Sequence, residues 1–186
     1  LVLIKNIDQS TVWSAVQLPE KKVGNLNNSN AMTFSYYLDG TTSSVLGFQA
    51  QNNAWNQSSS NHIAYCFHSV DGMSRVGSYV GGGTTDVPIT LGFRPAFVMI
   101  KSTSSGRNWL IYDNKRETGI GAYENDTVLF PDSSSLEVTG NTIRGIQFNS
   151  NGFVLNQNYE NNNGSGETHI FLAIAEEVFN PSGVTR

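Results

Sequence analysis

Apolar and polar residues along this chain alternate or form short runs, and no long window repeats its apolar positions with the period of a helix. The short runs are rich in β-branched and aromatic residues and are separated by Gly, Asn and Ser, as is typical of strands joined by turns. This pattern predicts an all-β fold of antiparallel β-sandwich modules, jelly-roll-like or lectin-like. The predicted strands are LVLIK, TVWSAVQL, MTFSYYL, SVLGFQA, HIAYCFH, RVGSYV, AFVMIK, NWLIYD, TVLF, TIRGIQF, GFVLN and HIFLAIAE.

The sequence also repeats itself, in three blocks that recur in the same order. LVLIKNIDQSTVWSAV at the start aligns with FVMIKSTSSGRNWLIY further along, so that Lys5 matches Lys101 and Trp13 matches Trp109. We therefore predict a tandem duplication, with a first repeat over residues 1–75 and a second over residues 76–186. The two later blocks pair Gly47-Phe48 with Gly152-Phe153, and His62-Ile63 with His169-Ile170.

The two repeats differ at their starts. The second has a front segment, Val76 to Ala96, before its FVMIK block, whereas the first begins directly at Leu1. We therefore expect the first repeat to lack its N-terminal strands and the chain to be a fragment of a longer protein. On this interpretation the strand of Leu1 lies at an exposed sheet edge or pairs with something absent, and the two repeats share one core.

Composition narrows the classes of function. Charged residues make up 14% of the chain and the formal net charge is -4, against roughly 25% charged residues in an average domain. Asn, Ser, Thr, Gly and Gln fill the polar positions, which suits sugars or packing within a large assembly. The charge argues against nucleic acid as a partner, and no apolar run has the length of a membrane span, so we predict no membrane insertion. With one cysteine, Cys66, no intramolecular disulfide forms.

Three blocks carry a resemblance to a known family: YCFHSVDG (Tyr65 to Gly72), GSYVGGG (Gly77 to Gly83) and GFRPAFVMIK (Gly92 to Lys101). With them the chain resembles a repeat domain of uncharacterised function in large structural proteins of tailed bacteriophages, many of them marine or cyanobacterial phages. The chain departs from that pattern at Val80, at Gly82, and at Met73, where an aromatic residue is commoner.

The resemblance implies a non-enzymatic structural and adhesive component of a phage tail fibre or appendage, located in the virion. Its expected partners are a host-surface polysaccharide and other virion subunits, and a homo-oligomer, such as a trimer, is expected. The first alternative is a purely architectural spacer or decoration module that binds only other virion subunits. A second is a polysaccharide depolymerase. The resemblance supplies no catalytic residues.

Two Asn-rich loops, Gln49 to Asn61 and Asn156 to Thr168, are the candidate binding sites, because they occupy the same place in each repeat. Their amides donate and accept hydrogen bonds, and each loop has one aromatic residue able to stack on a sugar ring. The candidate ligand-binding residues are Trp55, Asn53 and Asn56 in the first loop, and Tyr159 and Asn158 in the second.

The remaining residues that could carry chemistry are interpreted as structural. Cys66 lies where the second repeat has Ala173, which favours a buried packing role over a nucleophile. His62 and His169 are interpreted as hydrogen-bonding residues at strand starts rather than metal ligands. The glycine run at residues 81–83 lacks the rest of a phosphate loop, so it is interpreted as a turn, and DGM at residues 71–73 as the turn between repeats. No cofactor and no metal are predicted. The carboxylates, interpreted as solvated loop charges, are Glu117, Glu124, Asp126, Glu167, Glu176 and Glu177.

Overall fold

The computed structural model describes most of the chain. The described residues are 1–18, 20–35, 38, 42, 45, 47–48, 55–116, 127–139, 143–155 and 159–177. Within these ranges the fold is all-β, and every strand pairing is antiparallel, as the sequence predicts. Its one described helix is a single turn, α1 (Glu160–Asn163).

Sheet A comes from the first part of the chain and has the strand order β4-β3-β2-β1-β5. Its strands are β1 (Val2–Asn6), β2 (Ser14–Gln17), β3 (Lys22–Asn25), β4 (Thr33–Phe34) and β5 (His62–Cys66). Strand β1 pairs with β2 on one side and with β5 on the other. The prediction that the strand of Leu1 lies at an edge is therefore wrong, and the edge strand on this side of the sheet is β5.

Sheets B and C come from the second part of the chain, with strand orders β6-β12-β8-β9 and β10-β11-β7. The strands of sheet B are β6 (Ser74–Val80), β8 (Pro95–Ser102), β9 (Leu110–Asp113) and β12 (Thr168–Ala175). The strands of sheet C are β7 (Val87–Thr90), β10 (Gln147–Asn149) and β11 (Gly152–Leu155).

Buried side chains form three clusters that follow the faces of the sheets. Along β12, Phe171 and Ala173 join a cluster with Phe148 and Phe153 of sheet C, which defines the contact between sheets B and C. The alternate residues of β12 join residues of sheet A in a central cluster; its buried members are Leu1, Ala15, Met32, Met99, Trp109, Ile170 and Leu172. An outer cluster covers the other face of sheet A with Val2, Ile4, Val16, Leu38 and Trp55. Residues from both parts of the chain thus share one core.

Two of the three matched sequence blocks, the first and the last, adopt matched strand pairings. In the β1–β2 hairpin Val2 faces Val16, and in the β8–β9 hairpin the aligned residues Val98 and Tyr112 face each other. The next aligned strands, β5 and β12, pair with β1 and β8 in matching register. The pairs across β1 and β5 are Val2 with Cys66, Leu3 with Tyr65, Ile4 with Ala64, Lys5 with Ile63 and Asn6 with His62, and the aligned pairs across β8 and β12 are Val98 with Ala173, Met99 with Leu172, Ile100 with Phe171, Lys101 with Ile170 and Ser102 with His169.

The two aligned lysines make aligned hydrogen bonds. Lys5 Nζ donates to the carbonyl oxygen of Thr11 at 2.6 Å, and Lys101 Nζ donates to that of Arg107 at 2.5 Å. Each lysine therefore holds the loop of its own hairpin. Lys101 is fully buried and also donates to the carbonyl oxygen of Ser29 at 3.0 Å, which ties sheet B to the loop after β3.

The aligned tryptophans differ in burial. Trp109 is 1% exposed and donates its indole N–H to the carbonyl oxygen of Asn25 at 2.9 Å. Trp13 is half-buried and stacks on Tyr65, with ring centroids 5.7 Å apart. Trp109 therefore lies in the core, whereas Trp13 borders the surface.

Individual predicted strands and turns differ in how well they match the structure. TVLF forms isolated bridges at Val128 and Leu129 rather than a strand, and most of SVLGFQA lies outside the described residues. The DGM segment is a turn with Gly72 at a φ of 70°, as predicted. Pro95 opens β8, where the missing N–H of proline is tolerated.

We expect Lys101 to make stability depend on alkaline pH. Burial lowers the pKa of Lys101 from 10.5 to about 8, although Asp132 and Glu167 oppose this shift. Between these values the unfolded chain binds a proton that the folded chain has lost, so the free energy of unfolding rises with pH. This contribution amounts to about 2 kcal/mol between pH 8 and pH 10.

The measurement is urea unfolding of the wild type, Lys101→Met and Lys5→Met at a series of pH values. Comparing slopes removes the contributions of tyrosines and the amino terminus, which all three proteins share. Lys101→Met should lose the rise and Lys5→Met should keep it. Parallel curves for the wild type and Lys101→Met would contradict the assignment.

Candidate functional site

The first Asn-rich loop offers little aromatic surface. Trp55 is 9% exposed and packs in the outer cluster beneath sheet A, so its ring has little area left for stacking on a sugar. Asn56 beside it is exposed. Asn53 and Asn158, one in each predicted loop, lie outside the described residues.

Tyr159 in the second loop lies at a surface groove of about 400 Å³. It is half-buried and directly precedes α1, while the opposite wall comes from the segments on either side of β9 and from the residues before β10. The groove is lined by Asn108, Phe130, Ser135, Val138, Arg144, Tyr159 and Asn161. Of the residues predicted for binding, Tyr159 alone lines this groove among those described, and most of the lining comes from outside the second Asn-rich loop.

Arg144 is the charged group of this groove. Its guanidinium carbon lies 5.4 Å from the ring centroid of Tyr159 and 6.0 Å from that of Phe130, within the range of a cation–π interaction. Among the described arginines, Arg94, Arg107 and Arg116 each pair with a carboxylate, and no described carboxylate pairs with Arg144. Two aromatic rings, rather than a counter-ion, therefore hold the guanidinium in place. Its N–H groups can donate hydrogen bonds to ligand oxygens.

Two amides complete the polar lining. Asn161 Nδ2 donates to Tyr159 Oη at 2.6 Å, and Asn108 Nδ2 lies 3.3 Å from Asp132 Oδ1. A primary amide has two donor hydrogens and an acceptor oxygen, so each side chain has capacity beyond the bond described. Amide, guanidinium and phenol groups around an aromatic ring can bind a polyhydroxylated ligand by hydrogen bonds and ring contact.

Two buried asparagines position this groove. Asn162 and Asn163 belong to the second Asn-rich loop and are only 2% and 0% exposed. Asn162 Nδ2 donates to Tyr112 Oη at 2.9 Å, and Tyr79 Oη donates to the backbone oxygen of Asn162 at 2.5 Å. Asn163 Nδ2 donates to the carbonyl oxygen of Gly83 at 2.7 Å. These bonds fix α1, and with it Tyr159 and Asn161, against sheet B.

Sequence reasoning did not predict this hydrogen-bond network, although the sequence contains a signal for it. Tyr79 and Tyr112 lie on predicted strands, and a buried tyrosine hydroxyl needs a hydrogen-bond partner. Burial raises the pKa of both phenols well above their usual range, so both remain protonated and able to donate. The buried partners had to come from elsewhere in the chain, and the Asn run after Tyr159 supplies them.

A second polar cluster lies beside α1. Arg107 pairs with Glu160 at 2.8 Å and with Glu167 at 2.9 Å, and Ser102 Oγ donates to Glu167 at 2.9 Å. Burial alone would raise the pKa of Glu167, but hydrogen bonds from Arg107, Ser105 and Ser102 outweigh it and lower the pKa. The interpretation of Glu167 as a solvated loop charge is therefore wrong, because its side chain is 15% exposed and pairs with Arg107, which also pairs with Glu160 of α1.

Of the other candidate carboxylates, the structure describes Glu176 and Glu177. Glu117, Glu124 and Asp126 lie outside the described residues. Glu176 and Glu177 line a separate cleft with Asp71 and Arg94, and Glu176 pairs with Arg94 at 3.1 Å. Within the described ranges, no three His, Cys, Asp or Glu side chains lie close enough to hold a metal ion.

The prediction of a buried Cys66 is wrong. Cys66 is exposed on edge strand β5, whereas the aligned Ala173 is fully buried because β12 is covered and paired on both sides. The two histidines make the hydrogen bonds expected of them near strand starts: His62 Nδ1 and His169 Nδ1 each lie 3.1 Å from the carbonyl oxygen two residues earlier.

The glycine run is a connection between strands, as predicted. It lies between β6 and β7, and Gly83 has a φ of 66°. The N–H groups of Gly81 and Gly82 bond to the Glu167 carbonyl oxygen and to Asn163 Oδ1. These donors are satisfied by protein groups and do not form a phosphate cradle.

Comparison with known families gives one match. The family model described as "Domain of unknown function (DUF7483)" matches residues 1–178, so the chain belongs to that family. No curated protein and no solved structure matches the chain. In the part of the chain that the structure describes, no helix has both the length and the apolar character needed to cross a membrane.

Truncating Asn162 should destabilise the fold far more than truncating its neighbour. Asn162→Ala removes a buried amide and leaves Tyr112 without one of its bonds, which costs roughly 1–3 kcal/mol. The matched change Asn161→Ala removes a half-buried amide and should cost under about 0.5 kcal/mol. Urea unfolding of both variants gives the comparison, and equal losses would contradict the positioning role of Asn162.

Proposed function

We propose that this chain is a non-enzymatic structural and adhesive module that binds polysaccharide at the Tyr159 groove. The observation that carries the proposal is Arg144, held over the rings of Tyr159 and Phe130 without a described carboxylate partner. Arginine, amides and an aromatic ring around one groove match the chemistry of sugars, which present many hydroxyls and weakly polar ring faces. A surface with few charged residues is consistent with such a ligand.

On this proposal the module belongs to a tailed phage. The resemblance of three sequence blocks to phage structural repeats supports a place in a tail fibre or appendage of the virion, where the ligand would be a host-surface polysaccharide. Other virion subunits, and further copies of the chain in a homo-oligomer such as a trimer, would be its protein partners. Neither nucleic acid binding nor membrane insertion forms part of the proposal.

We also propose that the fold arose by tandem duplication of a sandwich-like module. The aligned strand pairings, the aligned lysine bonds to Thr11 and Arg107 and the aligned histidine bonds support it. In the second module, sheets B and C pack through shared buried residues as the layers of a sandwich do. The boundary between the modules, at residues 75 and 76, lies within β6.

The architectural spacer is the second candidate. The observation that favours it is the number of large apolar side chains exposed on the surface, among them Leu136 at 87% and Tyr65 at 51%. Exposed apolar groups that lie side by side, as Ile63 and Tyr65 do on one face of β5, commonly mark protein interfaces. A spacer would bind virion subunits and no glycan, so a glycan-binding measurement separates the two functions.

The test is binding of the labelled chain to an array of neutral and acidic bacterial surface polysaccharides. Tyr159→Ala and Arg144→Gln should each reduce binding at least about ten-fold, since each removes a principal contact. Tyr65→Ala is the matched control, because it removes an exposed aromatic residue from a strand remote in sequence from the groove, and it should bind like the wild type.

Three outcomes would overturn the proposal. Absence of binding from a folded sample across a broad array would favour the spacer. Binding that survives Tyr159→Ala and Arg144→Gln would place the site elsewhere. Shortening of the bound polysaccharide during the experiment would instead indicate a depolymerase.

A further inference from the structure

Strand β5 has one unpaired edge. It pairs with β1 on one side, and among the described residues no strand lies on the other. Its side chains are unusually open for a strand of this composition: Ile63 is 36% exposed, Tyr65 is 51% exposed, and Ala64 and Cys66 are exposed as well. An edge of this kind presents free backbone donors and acceptors to another strand.

The edge also lacks the usual protection against pairing. Proteins commonly guard an edge strand with a charged residue, a proline or very short length. The sequence HIAYC of β5 contains no Lys, Arg, Asp, Glu or Pro. By contrast, edge strand β4 has two residues, edge strand β7 contains Pro88, and edge strand β6 carries Arg75. An unguarded edge is expected where a partner strand normally covers it.

Sheet B contains a template for that partner. Strand β12 aligns with β5, and its corresponding edge is covered by β6 in antiparallel register. His169 faces Tyr79 there, and their rings stack with centroids 5.1 Å apart and an angle of 7° between planes. Phe171 faces Gly77, and a Cβ on Gly77 would lie 2.7 Å from the Phe171 ring. The pairing of β6 with β12 thus favours an aromatic residue opposite His169 and a glycine opposite Phe171.

We propose that the free edge of β5 binds a β6-like strand supplied by another module of the same family. The inference rests on the proposed duplication and is independent of polysaccharide binding. Transferring the register of β12 and β6 gives a defined geometry. The donor strand runs antiparallel to β5 and places its counterparts of Tyr79, Ser78, Gly77, Val76 and Arg75 opposite His62, Ile63, Ala64, Tyr65 and Cys66.

The chemistry of the occupant follows from this register. Backbone hydrogen bonds provide the general affinity, as in other complexes formed by strand addition. Specificity comes from an aromatic residue that stacks on His62. A donor with β6-like composition would also cover Ile63 and Tyr65, which are left open in the structure. Two copies of this chain paired through their β5 strands would not reproduce this arrangement. His62 and Cys66 of one copy would then lie opposite residues of β5 in the other copy, not opposite a β6-like strand.

Cys66 allows the register to be tested directly. A synthetic peptide with the sequence of residues 72–82 would carry Arg75→Cys, and a second peptide would carry Val76→Cys instead. In the proposed register the first thiol lies directly opposite Cys66, whereas the second points to the other face of the sheet. Each peptide is incubated with the full chain under mild oxidation, and the disulfide-linked product is quantified by mass spectrometry.

The Arg75→Cys peptide should give at least about ten-fold more linked product than the Val76→Cys peptide, because a disulfide requires close Cβ atoms. The Cys66→Ser chain should give none. Equal yields from both peptides, or no product from either, would overturn the proposed register.

A second measurement uses the unmodified peptide and the ¹⁵N-labelled chain. The hydrogen bonds between Leu1 and Phe67 turn the N–H groups of alternate residues of β5 toward β1 and leave those of Ala64 and Cys66 at the free edge. Amide signals of Ala64 and Cys66 should therefore shift and gain protection from hydrogen exchange. Shifts at Ala173, whose N–H faces β6, would instead mean that the peptide replaces β6 in sheet B, which would overturn the proposal. So would a dimer of the chain that forms without peptide and blocks its binding, as detected by size-exclusion chromatography. Loss of glycan binding would leave these readouts unchanged, so the two proposals fail separately.

Discussion

The fold depends on one strand that is buried on both faces and paired on both edges. Strand β12 lies between β6 and β8, and its alternate residues enter two different clusters of the core. Phe171 and Ala173 meet sheet C, while Ile170 and Leu172 meet sheet A. Such a strand accepts almost no polar side chain, because a buried polar group without a partner is costly. His169 is accepted because its ring stacks on Tyr79 and bonds to a backbone carbonyl.

Local sequence pattern predicted the class of fold well. The alternation that marks strands is local, so most described strands, including β8 and β12, coincide with predicted ones. Strands β3 and β7 were missed because KVGN and VPIT are short and contain Gly or Pro, which weaken the strand signal. Proline is tolerated in β7 because this strand lies at the edge of sheet C.

Partner choice between strands was less predictable. That β5 and not β1 forms the edge depends on a pairing between residues about sixty positions apart, which no local pattern encodes. The misassigned burial of Cys66 follows from the same cause, since its aligned residue Ala173 has a neighbour on both sides. For the candidate groove, sequence identified Tyr159 but not Arg144 or Phe130, because these residues come together only through the packing of α1 onto sheet B.

The bond from Lys101 to Ser29 has a mechanical consequence. Together with the bond from Trp109 to Asn25, it joins the second part of the chain to loops of the first. Separating the two parts would expose the central cluster and leave a buried ammonium group without one of its acceptors. Under a pulling force, the two parts should therefore yield together in one rupture rather than in sequence. Such a unit transmits tension as a stiff element until that rupture.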